Sequence, residues 1–170
     1  EARRAEADAM VAYAAAGTYN AVVTVSDGED ERTRTIPVTV FGADDPEARF
    51  RVLVFSKTAG FRHDSIDEGI AAIQDLGDDH DFQVDATEDA SVFNDAALDH
   101  YDAVIWLSTT GDVLNATQQA AFERFVKGGG GYAGIHAAAD TEYEWTWYGK
   151  LVGAYFRNHP AGTPSATVRI

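Results

Sequence analysis

The stretch that decides the fold is residues 127–141, which read KGGGGYAGIHAAADT. Its run of four glycines is expected to end the preceding helix, because glycine adopts the left-handed backbone of a helix C-terminus without steric cost. Residues 132–135 then predict a short buried strand, and His136 follows it directly, ahead of three alanines and Asp140. A titratable side chain in this position lies at the edge where open α/β sheets bind ligands. The stretch therefore predicts an α/β sheet with His136 at its binding edge.

Strands and helices alternate on both sides of this stretch. Apolar runs predict strands at 50–55, 82–86, 101–107 and 132–135, and a further strand beginning at 166. Ser65 and Glu68 have the spacing of a capping box, which predicts a helix that Gly77 ends. Asn115 with Gln118 predicts the start of a second helix, and residues 147–156 predict a third.

This alternation predicts a parallel sheet with helices on both faces, of the flavodoxin-like type. Right-handed crossovers place the C-terminal ends of all parallel strands along one edge. That edge would collect the loop containing His63, the acidic loop 85–89, the polar loop 108–112 and the stretch 136–140.

The N-terminal part of the chain has a different pattern. Residues 19–25 and 34–40 alternate apolar and polar side chains around a Ser26-Asp27-Gly28 turn, which predicts a β-hairpin. The spacing of Tyr13, Gly17 and Tyr19, together with this turn, resembles the last two strands of a PKD domain, an immunoglobulin-like β-sandwich. We interpret residues 1–41 as a PKD fragment and 42–49 as a linker. The resemblance implies an extracellular or cell-surface location.

Composition narrows the classes of function. The chain has 170 residues and a formal net charge of -15, which disfavours binding to nucleic acid and to anionic membrane surfaces. It contains no cysteine, so disulfides, thiolate zinc sites and a cysteine nucleophile are excluded. The sequence shows neither an apolar run of membrane-spanning length nor a signal peptide.

Several segments in order resemble the ThuA-like (trehalose utilisation) family. They are residues 52–55, Gly60-Phe61-Arg62-His63, the strand 101–104, residues 129–141 with their Gly-Ile-His-Ala-Ala-Ala-Asp-Thr, residues 151–156 and His159-Pro160. The resemblance covers residues 50–170 and implies a class I glutamine amidotransferase-like fold and use of disaccharides such as trehalose. We expect the domain to be truncated at its C-terminal end. In amidotransferase relatives the elbow after the strand carries a cysteine; here His136 takes that position, so Cys-dependent glutamine chemistry is excluded.

His136, His63 and Asp140 are the catalytic candidates. An imidazole titrates near neutrality and can act as a general acid or base. The alternatives are that His136 is hydrogen-bonded to a neighbouring loop, that His63 is an ordinary loop residue, and that Asp140 caps the next helix instead of orienting His136.

His63, His136 and His159 form a candidate metal site. Imidazole nitrogens in this number suit Zn or another divalent metal. Because the three histidines are far apart in sequence, only the fold can bring them together.

Five further residues are candidates for substrate binding. Arg62 could contact a carboxylate or sugar hydroxyls, or be solvated. Ser108 and Thr109 follow a central strand and would line the pocket through hydroxyl groups. Trp145 and Trp147 could stack on a pyranose, although core or lid packing is the usual fate of such residues.

The sequence thus supports two functions. The first is a secreted carbohydrate-acting enzyme, such as a sugar hydrolase, with a histidine-lined pocket at the C-terminal edge of the sheet. The alternative is a non-catalytic module that binds a saccharide or a partner within a larger extracellular protein. In both, the expected ligand is a small carbohydrate. The oligomeric state is left open.

Overall fold

A computed structural model describes residues 17–26, 30–40, 48–160 and 162 of the chain. The chain divides into two compact units, Glu1–Asp44 and Asp45–Ile170. The predicted strand beginning at 166 lies outside the described residues.

The first unit contains an antiparallel hairpin. Strand β1 spans Gly17–Ser26 and pairs with β2, Glu31–Val40, in a continuous register from Gly17↔Val40 to Ser26↔Glu31. The predicted hairpin is confirmed. That it belongs to a PKD domain stays a prediction.

The second unit is a four-stranded parallel sheet. Its strands are β3 (Arg51–Phe55), β4 (Gln83–Thr87), β5 (Ala103–Leu107) and β6 (Gly131–Ile135). Their order across the sheet is β4-β3-β5-β6. The predicted α/β fold with a parallel sheet is therefore confirmed, each strand lying within two residues of its expected start.

The helices connect these strands. They are α1 (Ile66–His80), α2 (Asp95–Leu98), α3 (Ala116–Lys127) and α4 (Thr146–Val152), with short 3-10 helices at Ala90–Val92 and His136–Asp140. The third predicted helix is thus shorter than 147–156, because Gly153 adopts φ 86° and ends it.

Helices cover both faces of the sheet. Consecutive strand residues point to opposite faces. Val54 packs in a cluster with Ile73 of α1, whereas Phe55 contacts Trp106, which stacks on Phe122 of α3 at 5.3 Å between ring centroids. The interior is rich in aromatic rings on the α3 side and in aliphatic side chains on the α1 side.

Two helix-boundary predictions are corrected and one is confirmed. Ser65 makes no side-chain cap hydrogen bond, so the predicted capping box at α1 is wrong. Gly77 lies inside α1 instead of ending it; a Cβ there would lie 2.6 Å from the carbonyl oxygen of Phe82. Its role is to let the helix pack closely on the chain that leads into β4. Asn115 and Gln118 do form the capping box expected at α3.

Candidate functional site

The site lies where three loops meet at the C-terminal edge of the sheet. The loop after β3 joins the loop after β5 through a parallel bridge between Thr58 and Thr110. The loop after β5 joins the segment after β6 through a second bridge, between Gly111 and Thr141. These bridges extend the parallel pairing beyond the strands, so the loops carrying His63 and His136 are held side by side.

His136 occupies a tight elbow directly after β6. Its φ is 54°, in the left-handed region that non-glycine residues rarely adopt, whereas Ile135 before it is extended. The following Ala137 and Ala138 are buried against the sheet. Because the chain turns sharply here and the next side chains are small, the imidazole of His136 projects outward and is exposed.

His63 faces His136. The two ring centroids are 4.5 Å apart and the rings are perpendicular. Nδ1 of His63 is buried and has no hydrogen-bond partner. Burial lowers the pKa of His63, and so does the nearby His136, while Asp140 and Asp64 act in the opposite direction. The lowered pKa favours the neutral imidazole of His63, whose buried Nδ1 has no hydrogen-bond partner.

Thr110 holds the loop that carries His63. Its hydroxyl donates to the carbonyl oxygen of Phe61 at 2.8 Å, and its own carbonyl oxygen accepts from the N–H groups of Ala59 and Gly60. The loop between β3 and α1 is thus fixed by the chain that leaves β5, which is why the position of His63 depends on a residue 47 positions away.

Asp140 is held by Tyr143. The Tyr143 hydroxyl contacts Oδ1 of Asp140 at 2.6 Å and the carbonyl oxygen of Phe156 at 2.8 Å. Partial burial raises the pKa of Tyr143 to about 12, and its hydrogen bond to the Asp140 carboxylate acts in the same direction. Asp140 ends the 3-10 helix after β6 and does not cap α4. The helix-cap alternative is therefore wrong, and the carboxylate lies beside the histidine pair.

The segment after α4 closes the site. The N–H of Phe156 donates to the carbonyl oxygen of Ala139 at 2.8 Å, and the Tyr155 hydroxyl donates to the carbonyl oxygen of Glu142 at 2.8 Å. The ring of Tyr155 also stacks on Tyr143 at 4.8 Å. These contacts bind residues 154–156 to the chain that follows the elbow, so the two form one continuous wall.

A cavity of about 630 Å³ opens between these loops. Its polar lining consists of three imidazoles and one carboxylate, from His63, His136, His159 and Asp140. The remaining lining is mostly carbon, from Phe61, Tyr155, Phe156 and three alanines. The cavity has the size and the mixed lining of a small-molecule site.

The predicted metal site is not assembled. Within residues 17–26, 30–40, 48–160 and 162, no three His, Cys, Asp or Glu side chains are placed to hold a metal ion. His159 lines the same cavity, but its Nδ1 lies 2.7 Å from the carbonyl oxygen of Pro160. Among the described residues, His63, His136 and His159 share a cavity but are not gathered as ligands of one ion.

Arg62 and the two tryptophans lie outside the described lining of the cavity. The guanidinium of Arg62 is 2.6 Å from the carboxylate of Glu88, so it is paired at the surface. Trp145 and Trp147 are 5.1 Å apart and both contact Phe122. They extend the aromatic interior, and their predicted contact with a sugar stays a prediction.

Ser108 and Thr109 are buried beneath the edge of the sheet. The hydroxyl groups of Thr109 and Thr141 are 2.9 Å apart and form a hydrogen bond, which fixes the orientation of both side chains. Ser108 is buried at φ 49°, and its N–H donates to the carbonyl oxygen of Ile135. Both residues hold the loops in place, and their predicted role in substrate binding stays a prediction.

Glu142 is a site-supporting residue that the sequence analysis missed. Its carboxylate is buried and accepts hydrogen bonds from the N–H groups of Val113 and Leu114 and from the side chain of Gln119. It ties the loop after β5 to the chain after the elbow. Nothing in the local spacing marks it, because its partners come from more than 20 residues away.

The fold and the site define a class of protein. This chain contains a flavodoxin-like α/β domain with a cavity at the C-terminal edge of a parallel sheet, beside an elbow that carries a titratable residue.

Comparison with known proteins gives the family. The model of the ThuA family, described as trehalose utilisation, matches residues 51–170, and the chain belongs to this family. A crystal structure of a ThuA-like protein from Bacteroides uniformis is similar in fold, with a TM-score of 0.55 and 24% sequence identity over 70% of this chain. The match covers 51% of that protein, so the chain spans about half its length. No curated protein matches the chain.

Among the described residues, none of the helices combines the length and the hydropathy of a membrane span.

Proposed function

We propose that this ThuA domain acts on a carbohydrate, with His63 and His136 as an acid–base pair. The observation that carries the proposal is the perpendicular contact of the two imidazoles, 4.5 Å apart, at the cavity. The family's description, trehalose utilisation, supports a sugar as the ligand.

The environments of the two histidines suit different roles. The lowered pKa of His63 leaves it neutral and able to accept a proton, whereas His136 projects into solvent on the elbow. In hydrolysis of a glycoside, the base would take a proton from water as the water oxygen bonds to the anomeric carbon. The acid would give a proton to the leaving oxygen as the glycosidic bond breaks. The Asp140 carboxylate favours the charged form of His63 and would stabilise the imidazolium that results.

The wider setting is also a proposal. If residues 1–41 are the end of a PKD domain, the ThuA domain works outside the cell or at its surface. The β-hairpin of the first unit supports this interpretation, because a lone two-stranded hairpin is marginally stable in water and is usually part of a larger β-structure.

Substitution of each histidine tests the acid–base pair. His136→Ala and His63→Ala are compared with His80→Ala, which removes an exposed histidine from the last turn of α1. Turnover is measured with trehalose and with 4-nitrophenyl glucosides, and binding is measured by calorimetry. We expect either site substitution to lower kcat at least 100-fold with a smaller effect on affinity, and the control to leave both unchanged.

The same experiment separates an enzyme from a binding module. If the unaltered protein binds these sugars without turnover and His136→Ala abolishes binding, the domain is a saccharide-binding module. If neither site substitution changes turnover or binding, the proposed site is wrong.

A further inference from the structure

Part of the wall of the cavity beside the histidine pair is apolar. Phe61 is 70% exposed and Phe156 is 40% exposed, and both line the cavity. Three alanines and Tyr155 also line the cavity. Single exposed aromatics are common on protein surfaces, but two at one concave site indicate a surface that an apolar group covers.

The polar and apolar parts of the cavity adjoin each other. The Phe61 ring is 5.0 Å from the ring of His63, which in turn is 4.5 Å from His136. The Phe156 ring is 5.8 Å from that of His159, which also lines the cavity. A ligand that reaches the histidine pair therefore lies next to the aromatic ring of Phe61.

The mixed lining of the cavity does not match a ligand that carries hydroxyl groups on every side. A sugar can stack the C–H face of its ring on one aromatic side chain, but hydroxyl groups that face the alanine methyl groups or a second phenyl ring lose their water without gaining a partner, which is unfavourable. A flat aromatic group would instead gain from burial against Phe61 and Phe156. At about 630 Å³, the cavity has room for a sugar ring and an aromatic ring together.

We infer that the ligand of this site is a glycoside with an aromatic aglycone. Its sugar hydroxyls lie at His63, His136 and Asp140, and its aromatic ring lies against Phe61 and Phe156. The inference rests on the proposed function, because it names the class of carbohydrate that the same site takes.

Paired ligands test the inference. The affinities of phenyl and methyl glucoside of the same anomeric form are measured by calorimetry on the 170-residue protein, for each anomer, with trehalose and benzyl alcohol alongside. Burial of one phenyl ring corresponds to roughly ten- to one-hundred-fold in affinity. We expect phenyl glucoside to bind at least ten-fold more tightly than methyl glucoside, trehalose and benzyl alcohol.

Variants assign the preference to the cavity wall. Phe61→Ala should reduce the ratio of phenyl to methyl glucoside affinity at least five-fold. Phe50→Ala is the matched control, since Phe50 is a 39% exposed phenylalanine that stacks on Phe82. It should leave the ratio unchanged. His136→Ala should weaken both glucosides to a similar degree.

The outcomes separate the inference from the proposed function. Any of four results overturns the aromatic aglycone alone. They are equal affinity for phenyl and methyl glucoside, tighter binding of trehalose than of phenyl glucoside, equal affinity for benzyl alcohol and phenyl glucoside, and a phenyl-to-methyl affinity ratio that Phe61→Ala does not change. Failure of every sugar to bind overturns the proposed function and the inference together.

Discussion

Replacement of Glu142 tests how the site is held together. Its carboxylate is 1% exposed. One oxygen accepts from the N–H groups of Val113 at 2.8 Å and Leu114 at 2.7 Å, and the other accepts from the Gln119 amide at 2.7 Å. Alanine at this position removes all three acceptor contacts, while glutamine keeps an oxygen for the two backbone groups.

The expected loss of stability follows from the polar groups that the substitution leaves without partners. A buried polar group that loses its partner costs about 1–3 kcal/mol. With two backbone N–H groups and one amide affected, Glu142→Ala should lower the free energy of unfolding by about 3–6 kcal/mol. Glu142→Gln should cost less than about 1.5 kcal/mol, because Gln119 can turn its amide to accept the new N–H.

The pH dependence of protein stability gives a second test of the role of Glu142. Burial raises the pKa of Glu142, and Asp112 adds to this effect, against the hydrogen bonds that favour the charged form. Because the pKa is higher in the folded state, the folded state binds a proton more tightly than the unfolded state. This contribution to stability is present below the unfolded pKa of about 4.3 and is lost as the pH rises through the folded pKa. The stability of the unaltered protein relative to Glu142→Gln should therefore fall across that window and be constant above it.

Urea unfolding followed by tryptophan fluorescence provides the assay. All three tryptophans, Trp106, Trp145 and Trp147, belong to the second unit and pack around Phe122, so the signal reports on the domain that contains Glu142. We expect Glu142 to stabilise the domain through its acceptor oxygens. A loss of unfolding free energy below about 1 kcal/mol for Glu142→Ala, or equal losses for the alanine and glutamine variants, would refute this expectation.

Two further predictions concern the histidine pair and a helix contact. In His136→Ala the pKa of His63 should rise, because His136 lowers it, and in Asp140→Asn it should fall, because Asp140 raises it; NMR titration of the His63 ring measures both, and opposite signs would contradict the assigned electrostatics. Gly77→Ala should destabilise the domain by about 1–3 kcal/mol, because a Cβ would lie 2.6 Å from the Phe82 carbonyl oxygen. A gain of about 1 kcal/mol in urea unfolding, as at an open helical site, would show that the contact relaxes freely.

Much of the site's location could be predicted from the sequence. The strand ending at Ile135 and the residue that follows it are local features, and parallel topology alone requires His63 and His136 to share an edge. The contact between their rings, however, depends on Thr110 fixing the loop after β3 and on the elbow at His136. Sequence spacing carries no information on the Thr110 contact, and the elbow is indicated by the family resemblance alone.

The sequence by itself determined the order of the parallel strands, the three longer helices α1, α3 and α4, and the capping box at Asn115, because these depend on the periodicity of apolar side chains and on groups within one turn. Only the tertiary structure decided which polar groups face the cavity. Arg62 is paired with Glu88, 26 residues away, and Glu142 is buried against a loop 28 and 29 residues before it. Both placements depend on which partners the folded chain brings within hydrogen-bonding distance, and these partners are too far away in the sequence for local spacing to indicate them.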